Sequence, residues 1–452
     1  MTKSVDRIRL IRLLKSEEEL FHKNHPKSYG LYQQARKSMH GGVPMLWMIR
    51  WAGTFPIFVR EASGAHFTDV DGNNYLDLCL GDTGAMTGHA PAATVAAIRE
   101  QAEKGITLML PYEDVIWVGQ ELQRRFGLPY WQFTLTATDA NRFVLRMTRM
   151  ITKRPKVLVF NYCYHGTVDE TFISLDEEGT SRSRANNMGP QIDPIYTTKV
   201  IEFNDVAALE TALSAGDVAA VLAEPVMTNI GIIHPEPGYH QALREVTRRY
   251  GTYLIIDETH TICAGPGGYT AANGLQPDFL TLGKPVAGGV PAAIYGFTEE
   301  VARAFDDRLV HEDADVGGIG GTLAGNALSI AAMRATLKEV LTEDFYARAI
   351  SLQERFTAGV EGVIEEFKLP WIVKRLGNRS EYWFRPTPPR NGGEAHAVID
   401  TELDRYMHLF ALNRGILMTP FHNMALICDA TTQEDVDYHT QVFREAVVSL
   451  FL

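Results

Sequence analysis

The stretch Leu254-Ile255-Ile256-Asp257-Glu258, followed by Thr281-Leu282-Gly283-Lys284, decides how this chain is read. Tyr253 to Ile256 and Phe279 to Leu282 are short apolar runs, and a carboxylate and an amine stand where those runs end. As buried strands of an open parallel sheet they put both groups at the carboxyl edge, where such sheets bind ligands. Taken singly, an Asp-Glu pair closing a strand is a helix cap or a loop, and a lysine after a strand is a solvated charge. Taken together they suit pyridoxal phosphate chemistry, in which a lysine holds the aldehyde as a Schiff base and an acid keeps the ring nitrogen protonated. Lys284 and Asp257 are the candidates for these catalytic roles.

Strand-like and helix-like stretches alternate on both sides of this pair. Ala92 to Lys104 and Pro237 to Tyr250 read as helices, the latter with Tyr239, Leu243, Val246 and Tyr250 at helical spacing. Val157 to Phe160, Val218 to Leu222 and Tyr253 to Ile256 read as strands. The alternation predicts an α/β fold with a mostly parallel sheet covered by helices on both faces. With 452 residues and 45% hydrophobic content the chain exceeds one ordinary domain. Residues 76–335 are expected to form the large cofactor-binding domain, 1–75 an N-terminal arm and part of a small domain, and 336–452 a C-terminal small α+β domain. The stretch before Gly41 predicts a helical arm packed on the core or on a partner subunit. Arg375 to Ala397, with Pro386, Pro388, Pro389 and Gly392-Gly393, predicts a loop in the smaller domain.

Thr136-Ala137-Thr138-Asp139-Ala140-Asn141 follows the apolar Phe133-Thr134-Leu135 and opens a helix-like stretch through Met150. A turn entering a helix offers free N–H groups and a favourable dipole to a phosphate. A threonine N-cap with no ligand fits the same residues equally well.

Composition excludes several classes. The formal net charge of -12, with no run of Lys or Arg, leaves no footprint for nucleic acid or an anionic membrane. Met1 to Leu14 interleaves Lys3, Asp6, Arg7, Arg9 and Arg12 with Ile and Leu, unlike a signal peptide, and no run suits a membrane span. The cysteines Cys79, Cys163, Cys263 and Cys428 lack the spacing of a zinc site or a disulfide framework. A cytoplasmic protein with reduced thiols and no metal is expected.

Asp257-Glu258, Pro277-Asp278, Thr281-Leu282-Gly283-Lys284 and Gly288-Gly289-Val290-Pro291 follow one another as in the signature of class III aminotransferases. Asp69-Val70-Asp71-Gly72, Gly88-His89, Tyr164-His165-Gly166, Glu224-Pro225 and Gly320-Gly321-Thr322 carry the likeness from about Gly41-Gly42-Val43 to the C-terminus. The chain resembles these pyridoxal phosphate enzymes of fold type I, in the branch that contains glutamate-1-semialdehyde aminomutase and its aminotransferase relatives.

The resemblance implies pyridoxal 5'-phosphate as cofactor, with Ala137 and Thr138 at its phosphate. The family usually has Ser-Gly-Thr-Glu-Ala there, so Thr136 and Ala137 are departures, and Ala137 gives up the backbone freedom of glycine. Thr322 is implied as a second phosphate contact reaching across the interface of a homodimer, which makes the active site a shared one. Tyr164 takes the place of the residue stacked on the ring, Glu224 and Asn229 brace the acid cluster and neighbour the ring hydroxyl, and Thr259 stands where the family packs a valine on the opposite face. His260, with no second histidine at ligand spacing, reads as a satisfied polar histidine near the site.

In the aminomutase branch an arginine after the Gly-Gly-Val turn holds the substrate carboxylate, and the resemblance puts Met48 at that position. A bidentate clamp needs a guanidinium, which methionine lacks. Trp47, Met48 and Arg50 are the candidate substrate residues, with Leu46, Trp47 and Met48 either lining an apolar pocket or forming ordinary core. Arg375, Arg385, Arg390 and Arg414 are other possible carboxylate partners, and spacing does not choose among them. The expected reaction is transfer of an amino group from an amine or amino acid with a bulky apolar side to a keto acid, aldehyde or ketone. An aminomutase or racemase on the same cofactor, and a non-catalytic binding or assembly relative, stay open.

Overall fold

Val218–Ala223 is apolar throughout and buried along its whole length, the mark of a strand covered on both faces. It lies inside the larger of two compact units in the computed structural model, which describes residues 4–312 and 315–452. The larger unit comprises 92–343 and 389–397, and the other runs up to Pro91 and over 344–388 and 398–452. The boundaries at 91/92 and 343/344 compare with the expected 75/76 and 335/336.

Among the described residues the sheet of the larger unit has seven strands: β1 Tyr130–Thr134, β2 Lys156–Phe160, β3 Thr198–Ile201, β4 Val218–Ala223, β5 Tyr253–Asp257, β6 Phe279–Leu282 and β7 Ala293–Phe297. Their spatial order is β1-β7-β6-β5-β4-β2-β3, with β7 antiparallel to both neighbours and the other pairs parallel. The helices α1 Ala137–Thr152 and α2 Tyr239–Arg249 connect β1 to β2 and β4 to β5. On α1, Ala140, Phe143, Val144 and Met147 recur every three or four residues and pack with Val157, Val159, Ala220, Leu222, Ile255 and Phe279. In β5 and β6 the register pairs Ile255 with Phe279 and Asp257 with Thr281, so both strands end level at the carboxyl edge.

The other unit is α+β. Helices Arg7–Asn24 and Pro26–Ala35 fall where an N-terminal helical arm is expected, the first capped by Asp6, whose carboxylate accepts from the N–H groups of Ile8 and Arg9. Phe21 packs with Phe55, Phe67, Tyr75, Leu409 and Leu412. The loop expected over Arg375 to Ala397 is only partly one. Ile372–Leu376 and Arg379–Trp383 form an antiparallel hairpin, and Arg379–Trp383 is buried throughout although it begins Arg-Ser-Glu. Burial of polar side chains on both faces erased the alternation by which a strand is recognised. No helix among the described residues is long and apolar enough to cross a membrane.

Candidate active site

Asp257 closes β5 as a buried carboxylate. Its Oδ2 accepts from Asn141 Nδ2 at 2.9 Å and faces His165 Nδ1 at 2.9 Å, and its Oδ1 accepts from the Thr259 N–H at 3.0 Å. Asn141, one turn inside α1, also donates to the His165 carbonyl at 3.1 Å and accepts from the Thr281 hydroxyl at 2.7 Å. One amide thus ties α1, β5, β6 and the loop after β2 together. Burial pushes the Asp257 carboxyl upward, but the hydrogen bond and charge of His165, with the Thr259 and Asn141 donors, outweigh it and hold the group below the usual carboxylate range. Burial likewise opposes the imidazolium of His165, and Cys163 and the Asp257 carboxylate outweigh it, raising the histidine. The neighbouring Glu258 is buried and turned elsewhere, accepting from the N–H groups of Tyr269 and Thr270 and from the Thr261 hydroxyl.

Lys284 follows β6 by two residues, at the start of a short 3₁₀ turn, with φ +49 in the left-handed region. The glycine before it sets its place: a Cβ on Gly283 would stand 3.0 Å from the Cβ and 3.2 Å from the N of Ala137, so the end of β6 lies against the first residue of α1. A second close approach comes from Gly166, where at φ +79 a Cβ would fall 2.0 Å from Thr138 Oγ1. Thr138 Oγ1 accepts from the Thr167 N–H at 3.0 Å, while Thr136 caps the helix by accepting from Asp139 N at 3.1 Å. Lys284 Nζ is 2.6 Å from Nε2 of His260.

Ala137, Thr138, Asp257, Thr259 and Lys284 therefore converge on the ends of β5 and β6 and the start of α1. Tyr164 lies on the loop after β2, its ring centroid 6.4 Å from that of Phe172. Asn229 donates to the Tyr162 carbonyl at 2.8 Å. Glu224 follows β4, buried; Oε2 accepts from the Thr228 hydroxyl, Oε1 has no hydrogen-bond partner among the described residues, and burial raises its carboxyl. Thr322 stands apart from this cluster, exposed on the turn before Ala327–Ala335, and lines a cavity with Leu108, Met109 and Leu110.

Trp47 and Met48 belong to a 3₁₀ turn, Leu46–Ile49, of the other unit and are 40% and 41% exposed, so they are not core. Trp47 meets Phe421 edge-on at 5.8 Å, and Arg50 is exposed. Three of the candidate carboxylate-binding arginines already face acids: Arg375 pairs with Glu354, Arg390 with Glu236 and Arg414 with Glu17. Arg385 donates to the Thr387 hydroxyl at 3.2 Å. Asn141 and His165 were not singled out in the sequence. His165 stood inside the Tyr164-His165-Gly166 motif, and Asn141 is a lone amide on the apolar stripe of α1, a signal that a polar group there has buried partners.

The residues present fit pyridoxal phosphate. A buried carboxylate held ionised suits a protonated ring nitrogen, a lysine amine stands at the next strand end, and the first turn of a sixteen-residue helix suits an anion. Glu224 Oε1 is a buried polar atom that a ligand hydroxyl would satisfy.

The profile of the family Aminotransferase class-III matches residues 47–441. A glutamate-1-semialdehyde 2,1-aminomutase of Sorangium cellulosum (strain So ce56) is 32% identical over 433 residues, 94% of this chain and 97% of that protein. Among solved structures, a glutamate-1-semialdehyde-aminomutase from Pseudomonas aeruginosa PAO1 is 50% identical with a TM-score of 0.97, covering 99% of this chain and 100% of that one. An omega-transaminase from Sphaerobacter thermophilus is 26% identical with a TM-score of 0.86, covering 94% and 98%. The chain belongs to the class III aminotransferase family, pyridoxal-5'-phosphate-dependent enzymes of fold type I.

Proposed function

We propose that this chain is an aminomutase that moves an amino group between adjacent carbons of a small amino aldehyde. The carrying observation is its likeness, over almost the whole length, to proteins named glutamate-1-semialdehyde aminomutase, at 50% identity in one case. In such a reaction the amino group passes from C2 to C1 while the oxygen passes from C1 to C2, so no external amine acceptor is consumed.

Pyridoxal 5'-phosphate supplies an electrophilic carbonyl carbon and a ring that accepts electrons. Lys284 would hold that carbon, and Ala137 and Thr138, at the start of α1, would receive the phosphate. Asp257, kept ionised by His165 and Asn141, would hold the ring-nitrogen proton. Tyr164 and Thr259 would flank the ring, with Glu224 and Asn229 towards its hydroxyl. The Lys284 amine would take up the proton that leaves a substrate carbon and give it back during turnover, a task suited to an unprotonated amine. Thr322 would complete a phosphate site in a second copy of the chain, and Leu108, Met109 and Leu110, at 59%, 69% and 75% exposed in the order Leu108, Leu110, Met109, give that copy an apolar surface to cover.

A second reading, transfer to an external keto acid, aldehyde or ketone from a donor with a bulky apolar side, is favoured by the exposed turn Leu46-Trp47-Met48-Ile49, which has no guanidinium at the position of the aminomutase clamp. The loaded enzyme offered glutamate-1-semialdehyde without any keto acid decides between them. Formation of the C1-amino isomer supports the aminomutase. Turnover that requires a keto acid, and aminates it in equal amount, replaces it with the transaminase.

A further inference from the structure

Two basic side chains meet at the carboxyl edge of the sheet: Lys284 Nζ lies 2.6 Å from Nε2 and 3.5 Å from Nδ1 of His260. A contact this short requires a proton between the two nitrogens. It cannot hold two, because N–H would then point at N–H and charge at charge. Either an ammonium donates to a neutral imidazole, or an imidazole donates to a neutral amine. Capture of a carbonyl carbon requires a nitrogen with a free lone pair, and the second state supplies one on Lys284. Imidazole is a side chain suited to exchanging a proton with such a partner.

The surroundings hold the two together. His260 precedes the turn Thr261–Ala264, and two residues before it Glu258 is fixed by Tyr269, Thr270 and Thr261. Lys284 is set by the left-handed backbone and by the contact of Gly283 with Ala137. The acids at these strand ends have contacts of their own: Asp257 with His165 and Asn141, Glu224 with Thr228, and Glu258 as above.

We infer that His260 is the proton acceptor that makes Lys284 nucleophilic. An N–H bond of the ammonium breaks and its proton passes to the facing imidazole nitrogen. The freed amine would form a C–N bond to the cofactor's carbonyl carbon. The oxygen takes one proton from that amine nitrogen and one back from the imidazolium, its C–O bond breaks, and it leaves as water while the nitrogen keeps its last proton in the C=N link. The inference rests on the reading of Lys284 as the lysine that captures pyridoxal phosphate.

The test follows covalent capture, not turnover. Apoprotein is mixed with pyridoxal phosphate between about pH 6 and about pH 10, a range spanning the ordinary imidazole and lysine values. Borohydride fixes the product, and peptide mass locates it. Wild type is compared with His260→Gln, His260→Met and Lys284→Ala, each checked for an unchanged melting temperature. Capture on Lys284 at neutral pH should slow about tenfold or more in both His260 variants and approach wild type only towards about pH 10. Rate profiles of either folded His260 variant that superimpose on wild type overturn the role of His260 alone. Absence of a Lys284 adduct in wild type overturns the underlying reading as well.

Discussion

Asn141 Nδ2 donates to the Asp257 carboxylate across 2.9 Å, deep between a helix and the ends of two strands. The same side chain takes the Thr281 hydroxyl on its oxygen, so helix and strands are locked through one amide. Asn141→Ala leaves that hydroxyl unsatisfied and removes a donor from a buried charge, which costs about 2–4 kcal/mol in all. Thermal or urea unfolding should show the loss, and cofactor titration should show weaker binding. An unchanged midpoint would mean that the amide is dispensable.

The His165–Asp257 pair makes stability depend on pH in a defined direction. His165 is raised from 6.5 to about 10, so its contribution is complete below 6.5 and is lost as pH rises towards 10. Asp257 is lowered from 3.8 to about 2, so its contribution is complete above 3.8 and is lost as pH falls towards 2. Unfolding free energy of the apoprotein should therefore fall between about pH 7 and about pH 9, by at most about 1.4 kcal/mol per pH unit from this pair. In His165→Gln that slope should flatten; equal slopes in the two proteins would remove the pair from the account.

Gly166→Ala should weaken the start of α1. The new Cβ would fall 2.0 Å from Thr138 Oγ1, on a backbone at φ +79 that alanine adopts with strain. A cost of about 1–3 kcal/mol is expected, with cofactor binding weakened about tenfold or more. Equilibrium dialysis of pyridoxal phosphate reads it, and wild-type affinity would show that the helix start tolerates the displacement.

Lys284→Ala should lower turnover by about 10²–10⁴-fold or more while the cofactor still binds without a covalent link. Retention of borohydride-fixed label by the variant would locate the capturing amine elsewhere.

Met109→Glu puts a charge into the exposed apolar stretch beside Thr322. Sedimentation should give twice the chain mass for wild type and a shift towards the single chain for the variant, with turnover falling alongside. A wild-type monomer of full activity would sink the shared site.

Much of the larger unit was readable because its strands are continuous apolar runs: Val218–Ala223 and Phe279–Leu282 carry no polar side chain except Thr281. Asp257 and Lys284 were visible because each breaks such a run at its end. The Arg379–Trp383 strand was hidden because its arginine, serine and glutamate are buried by partners distant in sequence. The same reason hid Asn141, whose ties to Asp257 and Thr281 span 116 and 140 residues. The contact of His260 with Lys284 depends on the orientation of two loops, which residue spacing does not encode.

Residues 389–397 reach the larger unit only after the chain has passed through the other one. Gly392 there packs so closely that a Cβ would stand 2.1 Å from the Asn161 carbonyl, Arg390 pairs with Glu236, and His396 stacks on Tyr162, two residues before Tyr164. A polypeptide cut to 92–343 would thus lack part of its own wall beside Tyr162. During synthesis that wall emerges after the rest of the larger unit, so the rim beside Tyr162 can close only once residues 344–388 of the other unit have also been made.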